Sequence, residues 1–500
     1  MRQKTPLTEW HLNFRKWLRG RLIWTEKASL AKQVFGFWEN HSPVGKEAKM
    51  LGAFRVAVQA ARRHDELYFA ALLSEERIRE AFQGARAVWQ GWVYTPAVTV
   101  WVFLSQCLSM DHSCADAVAG LIAWRVARGL RPCSAKTGAY CTAREEIPES
   151  VSRQLMRHTG ADLEREAPQE WLWHGRRVRV IDGSTFTMPD TPENQAEYPQ
   201  LESQKPGCGF PIARMVVVFS LAVGTVLEAA LGKYEGKQTG ENSMFRTLHH
   251  VLCEGDVVLA DRYFSGWFDI ALLKQRGVDL VVRKHQLRAT DFRTGWRLGP
   301  GDHLVCWTKP PRPKWMSREE YAALPDKLTL REVRVRVVQK GFRTKVLVVV
   351  TTLLDKSSPE EIGELYRRRW QAELNLRSIK TVLQMDHLRC KTPHRVRNEF
   401  FMHLVGYNLI RRAMALAALQ SGAAPWEVSF KGALQTLNHF LPILCSRASL
   451  DAWCEALLAA IAAHLVNNRP DRYEPRLTKR RPKKYKHFRE PRANYKRRAA

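Results

Sequence analysis

Residues 170–285 restrict the possible folds more strongly than any other stretch of the chain, because they contain several short apolar runs that predict buried strands. Two of these runs end on acidic residues. The run 177–181 alternates and then turns apolar, which predicts a short strand that ends on Asp182. The apolar run Val257–Ala260 predicts another buried strand, and it ends on Asp261. An Asp at a strand end is often only a capping or ion-paired residue, so the two acids alone leave a structural role and a functional role equally open.

The rest of this stretch fixes the fold class. Residues 215–227 predict two buried strands around a turn at Gly224, and 278–282 predict one more strand. Helical patterns lie between the strands at 241–253 and 268–275. Strands followed by strand–helix alternation predict an α/β protein built on a mixed sheet.

The remaining sequence predicts further regions around this core. A chain of 500 residues corresponds to roughly two to four domains. We expect a helical domain at 1–150 that binds DNA ends, a catalytic core at 170–285 and 356–410, a β-rich insertion at 286–355, a helical region at 411–465 and a basic, disordered tail at 466–500. A helical domain with ordinary surface charge is the alternative for 1–150, and a solvated tail the alternative for 466–500.

The net charge of the chain indicates which class of partner it binds. Lys plus Arg number 79 and Asp plus Glu 50, so the net charge is +29 and the pI about 10.0. Such a chain is attracted to polyanions, with nucleic acid the first candidate and an anionic membrane the second. Residues 1–40 lack a signal-peptide pattern, and no transmembrane segment is evident, so we expect a cytoplasmic protein, nucleoid-associated when bound to DNA. The ten cysteines form no Cys-x-x-Cys pair, which argues for reduced thiols and against a zinc ribbon.

The helical run 361–383 adds a third acid. At 100° per residue, an aromatic, basic and acidic row shares one outward face beside an apolar stripe. The row consists of Tyr366, Arg369, Trp370, Glu373, Arg377 and Lys380. The stripe consists of Leu365, Ala372, Leu376, Ile379 and Leu383. A solvated face with an ordinary i,i+4 pair between Arg369 and Glu373 would explain the charges. A single acid among so many basic groups fits a metal ligand beside bound phosphates slightly better.

Three carboxylates supply what metal-dependent phosphoryl transfer requires. Mg²⁺ prefers oxygen ligands and keeps places for water and phosphate oxygens. Two such ions can activate the attacking oxygen and stabilise the leaving oxygen of a phosphodiester. Asp182, Asp261 and Glu373 would hold the metal, and neighbouring basic side chains would hold the DNA backbone without reading its sequence.

These residues resemble a known signature. Tyr366-x2-Arg369-x3-Glu373-x6-Lys380 matches the Y-R-E-K signature of DDE transposases of the insertion-sequence-four family at all four positions. Asp182 in Ile181-Asp182-Gly183-Ser184 resembles the first acid of that family, and Asp261 in Ala260-Asp261-Arg262-Tyr263 resembles its second. The resemblance covers about residues 170–410.

The resemblance implies both a fold and a reaction. It implies an RNase H-like catalytic core with a β-rich insertion, in which the three acids bind Mg²⁺, with Mn²⁺ expected to substitute. It implies that Tyr366, Arg369 and Lys380 contact DNA phosphates, and we expect Trp370 and Arg377 on the same face to bind DNA with them. Family members cut the ends of their element and join them to target DNA, so the expected partners are the terminal repeats, the target DNA and a second copy of the chain.

Two other functions remain open on the sequence alone. The first is a catalytically inactive, DNA-binding relative of a transposase, against which the intact acid triad counts. The second is a basic RNA-binding protein, which would be expected to carry aromatic and basic recognition motifs that are not found.

Overall fold

All regular secondary structure described before the first strand is helical. The computed structural model describes residues 43–63, 70–337, 346–354, 357–444, 449–466 and 490–499. Two units are distinguished, Met1–Ala53 and Phe54–Ala500, and of the first only the beginning of helix α1 is described. The helices of this region are α1 (Pro43–Arg63), α2 (Glu75–Gly84), α3 (Pro96–Leu108), α4 (Cys114–Ala127), α5 (Gly138–Glu145) and α6 (Glu149–Glu166).

Short polar residues set the starts of these helices. Thr95 caps α3, because its side chain accepts a hydrogen bond from the Val98 backbone N–H, and Pro96 follows as the first helical residue. Ser74 and Ser113 cap α2 and α4 in the same way. The separation of two helical segments at Thr95-Pro96, predicted from the sequence, is therefore a capped helix start.

Within the described residues, nine strands form one mixed sheet. They are β1 (Val178–Thr187), β2 (Ile212–Ser220), β3 (Val226–Lys233), β4 (Val257–Ala260), β5 (Asp279–Arg283), β6 (Trp296–Gly299), β7 (Asp302–Thr308), β8 (Lys327–Arg336) and β9 (Val346–Thr351). Their order across the sheet is β3-β2-β1-β4-β5-β9-β8-β7-β6. Strands β1, β4 and β5 run parallel to one another, and the other neighbours are antiparallel. The predicted mixed α/β class is confirmed.

Strand β1 is longer than the sequence predicts. We expect it to end on Asp182, but it continues to Thr187. The reason is its pairing with β2, which holds it in register from Arg179 opposite Ser220 to Thr187 opposite Ile212. The turn predicted at Gly224 is present, with φ at +72°.

The strands of residues 286–355 extend the same sheet. Strand β9 pairs with β5 on one side and with β8 on the other, so β8, β7 and β6 continue outward from the strands that carry the acids. The sequence predicts strands at 328–338 and 345–354, and both are present, as β8 and β9. Strand β9 ends at Thr351, three residues before its predicted limit.

Helices cover both faces of the strands β1 to β5. On one face, α8 (Glu241–Thr247) and α9 (Trp267–Gln275) enclose a core with Ile181, Val258 and Ala260. On the other face lie α6, α12 (Trp370–Arg377) and the long helix α13 (Pro393–Ser421). The remaining helices are α7 (Pro192–Glu197), α10 (Arg318–Ala322), α11 (Pro359–Arg367), α14 (Phe430–Phe440), α15 (Leu450–Ala462) and α16 (Arg492–Ala499).

Only parts of the predicted basic tail and of the predicted N-terminal domain are described. Residues 467–489 and 500 lie outside the described residues, as do 1–42. Within the tail, Arg492–Ala499 forms helix α16. Among the described residues, no helix is long and apolar enough to cross a membrane.

Candidate active site

Strand register brings the two strand-end acids together. Val180 on β1 lies beside Leu259 on the parallel strand β4, and Asp182 and Asp261 each follow two residues later. Neighbouring strands are about 4.8 Å apart, and residues two apart share a face, so both acids lie at the same level on one side of the sheet. Both side chains are half-buried.

The third acid comes from a helical stretch that crosses the same face. Glu373 lies in the first turn of α12, and α12 packs on β1. The apolar stripe predicted for this stretch is confirmed, because its five members are all buried: Leu365, Ala372, Leu376, Ile379 and Leu383. This buried stripe fixes the stretch against the sheet and orients the Glu373 side chain.

The stretch is not the single regular α-helix that was predicted. Helix α11 ends at Arg367, α12 begins at Trp370, and a π-helical turn follows at Ser378–Val382. Between α11 and α12, backbone hydrogen bonds span three residues, as in Arg369 N–H to the Tyr366 carbonyl at 3.1 Å. Such tighter turns advance each residue by more than 100°, so the angular positions calculated from an ideal helix do not hold along the whole row.

The members of the predicted outward row therefore differ in exposure. Trp370 is 48% exposed and Arg377 is exposed, whereas Tyr366 is only 8% exposed. The prediction that Tyr366 faces outward is wrong, because Tyr366 lies within α11, on the buried side that also contains Ile362 and Leu365. Lys380 is half-buried, and its Nζ donates a 3.0 Å hydrogen bond to Ser184 Oγ, two residues after Asp182 on β1.

Arg369 links the acids to one another. Its Nη2 donates to Glu373 Oε1 at 2.7 Å, which confirms the i,i+4 pair expected from the sequence. The Arg369 side chain is only 16% exposed and also lies close enough to Asp182, Asp261 and the Tyr366 hydroxyl to interact with their charges. A buried guanidinium thus balances part of the negative charge at this point of the sheet.

The charge of the acids is nevertheless incompletely balanced. The pKa of Asp182 is raised from 3.8 to about 6, and burial is the largest cause. Arg369 and the Gly183 backbone N–H lower the pKa, whereas the carboxylates of Glu373 and Glu241 contribute to the rise. A carboxyl group with a raised pKa among other acids is typical of a functional site, because such a group becomes fully ionised when a cation arrives.

Tyr366 is unsuited to act as a nucleophile. Burial raises the pKa of its hydroxyl to about 12, with the carboxylate of Asp261 adding to that effect, although Arg369 and Arg283 oppose it. The hydroxyl is therefore neutral near neutral pH and lies close to the Arg369 guanidinium. Its position favours orienting Arg369.

Two members of the site were missed from the sequence. Glu241, the first residue of α8, lies close enough to Asp182 and Asp261 to influence their charges, and Ser184 holds Lys380. Glu241 could have been suspected as an acid that opens the helix after β3. Its distance from Asp182 in sequence, 59 residues, gives no hint of contact.

The oxygen donors suit a hard divalent cation, although they do not yet converge on one. Mg²⁺ prefers carboxylate oxygens, and the half-buried acids provide them without His or Cys ligands. Within the part of the chain that the structure describes, no three His, Cys, Asp or Glu side chains are grouped closely enough to hold a metal ion. Glu373 is instead held by Arg369. The residues therefore fit Mg²⁺ in type, and the cation would have to compete with Arg369 for Glu373.

Comparison with known proteins decides the family. Residues 173–409 match the family described as transposase DDE domain, and this range contains all three acids and the signature. The chain therefore carries a transposase DDE domain. It is 28% identical over 367 residues to the transposase InsG of insertion sequence element IS4 from Escherichia coli K12, an alignment that covers 71% of this chain and 79% of that protein.

Shorter matches of the chain to other transposases agree with this similarity. It is 28% identical over 192 residues to the putative transposase InsZ of E. coli K12, which covers 35% of this chain and 63% of that protein. It is also 35% identical over 65 residues to the transposase of insertion sequence element IS421 from E. coli, which covers 13% and 18% of the two chains. The predicted resemblance to DDE transposases of the insertion-sequence-four family is confirmed.

Proposed function

We propose that this transposase cuts the ends of its element and joins them to target DNA by metal-dependent phosphoryl transfer, with Asp182, Asp261 and Glu373 as the catalytic, metal-binding acids. One observation carries the proposal: Asp182 on β1 and Asp261, directly after the adjacent parallel strand β4, share one level, and Glu373 lies on the helix that packs over β1. The proposal includes an RNase H-like core, supported by the strand order β3-β2-β1-β4-β5. An experimental structure with another strand order would contradict that core.

In this proposal, each acid contributes an oxygen to the centre from a rigid element. Asp182 and Asp261 hold cations from the sheet, and Glu373 completes the set from α12. Bound Mg²⁺, or Mn²⁺ in its place, supplies Lewis acidity at the attacking and leaving oxygens of the phosphodiester. The neighbouring burial keeps water from screening these charges.

Arg369 has a second role in the proposal. When Glu373 moves to the cation, the Arg369 guanidinium loses its carboxylate partner at 2.7 Å and becomes available to a DNA phosphate. Tyr366 keeps Arg369 in place, while Lys380, Arg377 and Trp370 lie farther along the same stretch and would grip the DNA backbone. These contacts position the strand without reading its sequence.

The proposed active species is a homodimer on paired DNA ends. The two ends of one element must be cut and joined together, which a pair of identical sites accomplishes. A mass measurement on the protein bound to DNA carrying the element's ends checks this, and one chain per pair of ends would contradict it.

The experiment that tests the proposal uses linear DNA carrying the gene with its native flanks. Purified protein with Mg²⁺ should cut at two fixed flanking positions, and EDTA should prevent the cuts. Glu373→Gln removes the charge at nearly constant size, so we expect cleavage to fall by more than about a hundredfold while DNA binding is retained.

The matched control is Glu364→Gln. Glu364 is exposed and also pairs with an arginine, Arg367, at 2.6 Å, so its loss should leave cleavage unchanged. Cleavage by Glu373→Gln at the rate of the unaltered protein would overturn the assigned role. DNA binding without any cut by the unaltered protein would instead favour an inactive, DNA-binding relative.

A further inference from the structure

The Glu241 side chain lies directly against the main chain of β1. A Cβ atom built on Gly183 would lie 2.4 Å from Glu241 Cδ and 2.6 Å from Glu241 Oε1. No real side chain tolerates such distances, so the absence of a side chain at position 183 is what admits the carboxylate. The Glu241 carboxylate is thereby placed one residue after Asp182.

The start of α8 is also fixed to the chain that follows β4. Asn242 Nδ2 donates a 2.9 Å hydrogen bond to the carbonyl of Tyr263, which lies two residues after Asp261. Glu241 is therefore placed between the segment that carries Asp182 and the segment that carries Asp261. Strand β4 ends at Ala260 while β1 continues, which leaves room between them for the carboxylate.

The position is electrostatically unfavourable for an acid without a cation. The Glu241 side chain is partly buried, and the nearest charged groups are the guanidinium of Arg214 and the carboxylate of Asp261. Within the described residues, no hydrogen bond or salt bridge reaches the Glu241 carboxylate. A carboxylate at the start of a helix is favourable, but this effect alone does not require the Glu241 side chain to lie against β1.

We infer that Glu241 is a fourth carboxylate of the catalytic centre and helps to bind a divalent cation beside Asp182 and Asp261. The inference rests on the proposed function. A cation bound between these segments would offset the cost of holding three acids together, and carboxylate oxygens are the ligands that Mg²⁺ and Mn²⁺ prefer. Gly183 has the related role of keeping the space for Glu241 open.

The test measures binding of Mn²⁺ to the full chain by calorimetry, together with the Mn²⁺ concentration that gives half-maximal DNA cleavage. We expect Glu241→Gln to weaken Mn²⁺ binding by roughly tenfold or more and to raise the required concentration by a similar factor. Gly183→Ala should have the same effect, because its methyl group displaces the Glu241 carboxylate. The double variant should be no worse than either single variant, since both changes remove one interaction.

The matched control is Glu193→Gln, the same change at an exposed position in the first turn of α7. It should leave Mn²⁺ binding and cleavage as in the unaltered protein, and thermal denaturation shows whether each variant is folded. Mn²⁺ binding and metal requirement that are unchanged in folded Glu241→Gln would overturn the inference. If Glu373→Gln is inactive while Glu241→Gln behaves normally, only this inference fails; if unaltered protein shows no metal-dependent cleavage, the proposed function fails with it.

Discussion

The ionisation of Asp182 carries an electrostatic cost for the folded protein. It lies on β1 beside Glu373 and Glu241, and burial is the largest cause of its raised pKa of about 6. An acid whose pKa in the folded state exceeds its ordinary value of 3.8 binds its proton more tightly when folded. Its ionisation therefore lowers the stability of the folded protein as the pH rises from about 4 to about 6, and the full cost applies above pH 6.

The first prediction at the residue scale concerns Asp182→Asn in metal-free protein. The variant should be more stable than the unaltered protein above pH 6, by on the order of 2 kcal/mol, because the ionisation cost disappears. The gain should shrink as the pH falls from 6 to 4. Thermal denaturation in EDTA at several pH values measures it.

The control for this prediction is Asp326→Asn. The Asp326 side chain is 95% exposed, so its replacement should change the stability little at any of these pH values. A stability difference for Asp182→Asn that does not vary between pH 4 and pH 7.5 would contradict the electrostatic account of Asp182.

At this scale, the sequence identifies the candidates that end strands or fit a spaced signature. Asp182, Asp261 and Glu373 are predicted as catalytic residues, and the structure places Asp182 and Asp261 at one level. Glu241 is missed because its approach to Asp182 depends on the packing of α8 and on the missing side chain at Gly183. Such contacts between distant segments have no signal in a single sequence.

At the scale of elements, the buried cation Arg179 joins three parts of the core. It lies on β1, and its guanidinium donates to Glu164 on α6 and, at 2.9 Å, to Asp256 just before β4. The three side chains are at most 7% exposed. This network fixes α6 and the start of β4 to the strand that carries Asp182.

The prediction at this scale is that Arg179→Ala destabilises the protein strongly. It leaves two buried carboxylates without their cation, which costs about 3–5 kcal/mol. The free energy of unfolding from urea denaturation measures the loss. Arg165→Ala is the matched control on α6, because Arg165 is 69% exposed in its pair with Asp162, and it should cost less than about 1 kcal/mol. Equal losses for the two variants would refute the importance of the buried network.

The helical stretch that carries Glu373 shows where prediction from an ideal element fails. The apolar stripe from Leu365 to Leu383 is correctly predicted, because burial follows the hydrophobic pattern even when a helix is irregular. The placement of Tyr366 is wrong, because Tyr366 lies on the buried side of α11 with Ile362 and Leu365. Helix α11 contacts β5, β8 and β9, whereas α12 contacts β1, so the two parts of the stretch pack on different strands.

At the scale of the whole molecule, the sheet explains how the β-rich region is connected to the site. Strand β9 is inserted between β5 and β8, so the strands of 286–355 continue the catalytic sheet. The sequence predicts the strands of this region but not their order, because long-range strand pairing is not encoded in local periodicity. Strand β9 lies beside β5, and the chain that follows it leads into α11. The chain thereby returns to the part of the sheet that carries the acids.

The most direct test of the central claim replaces one ligand by a softer one. In Asp261→Cys, a thiolate replaces the carboxylate, and thiolate binds Mg²⁺ poorly but accepts softer divalent ions. The measurement is DNA cleavage at the ends of the element with Mg²⁺ and with Mn²⁺, beside folded Asp261→Asn, which offers no charged ligand. We predict no cleavage by Asp261→Cys with Mg²⁺, partial recovery with Mn²⁺, and no recovery for Asp261→Asn. Normal cleavage by Asp261→Cys with Mg²⁺, or equal inactivity of both folded variants with Mn²⁺, would contradict the claim that Asp261 binds the catalytic metal.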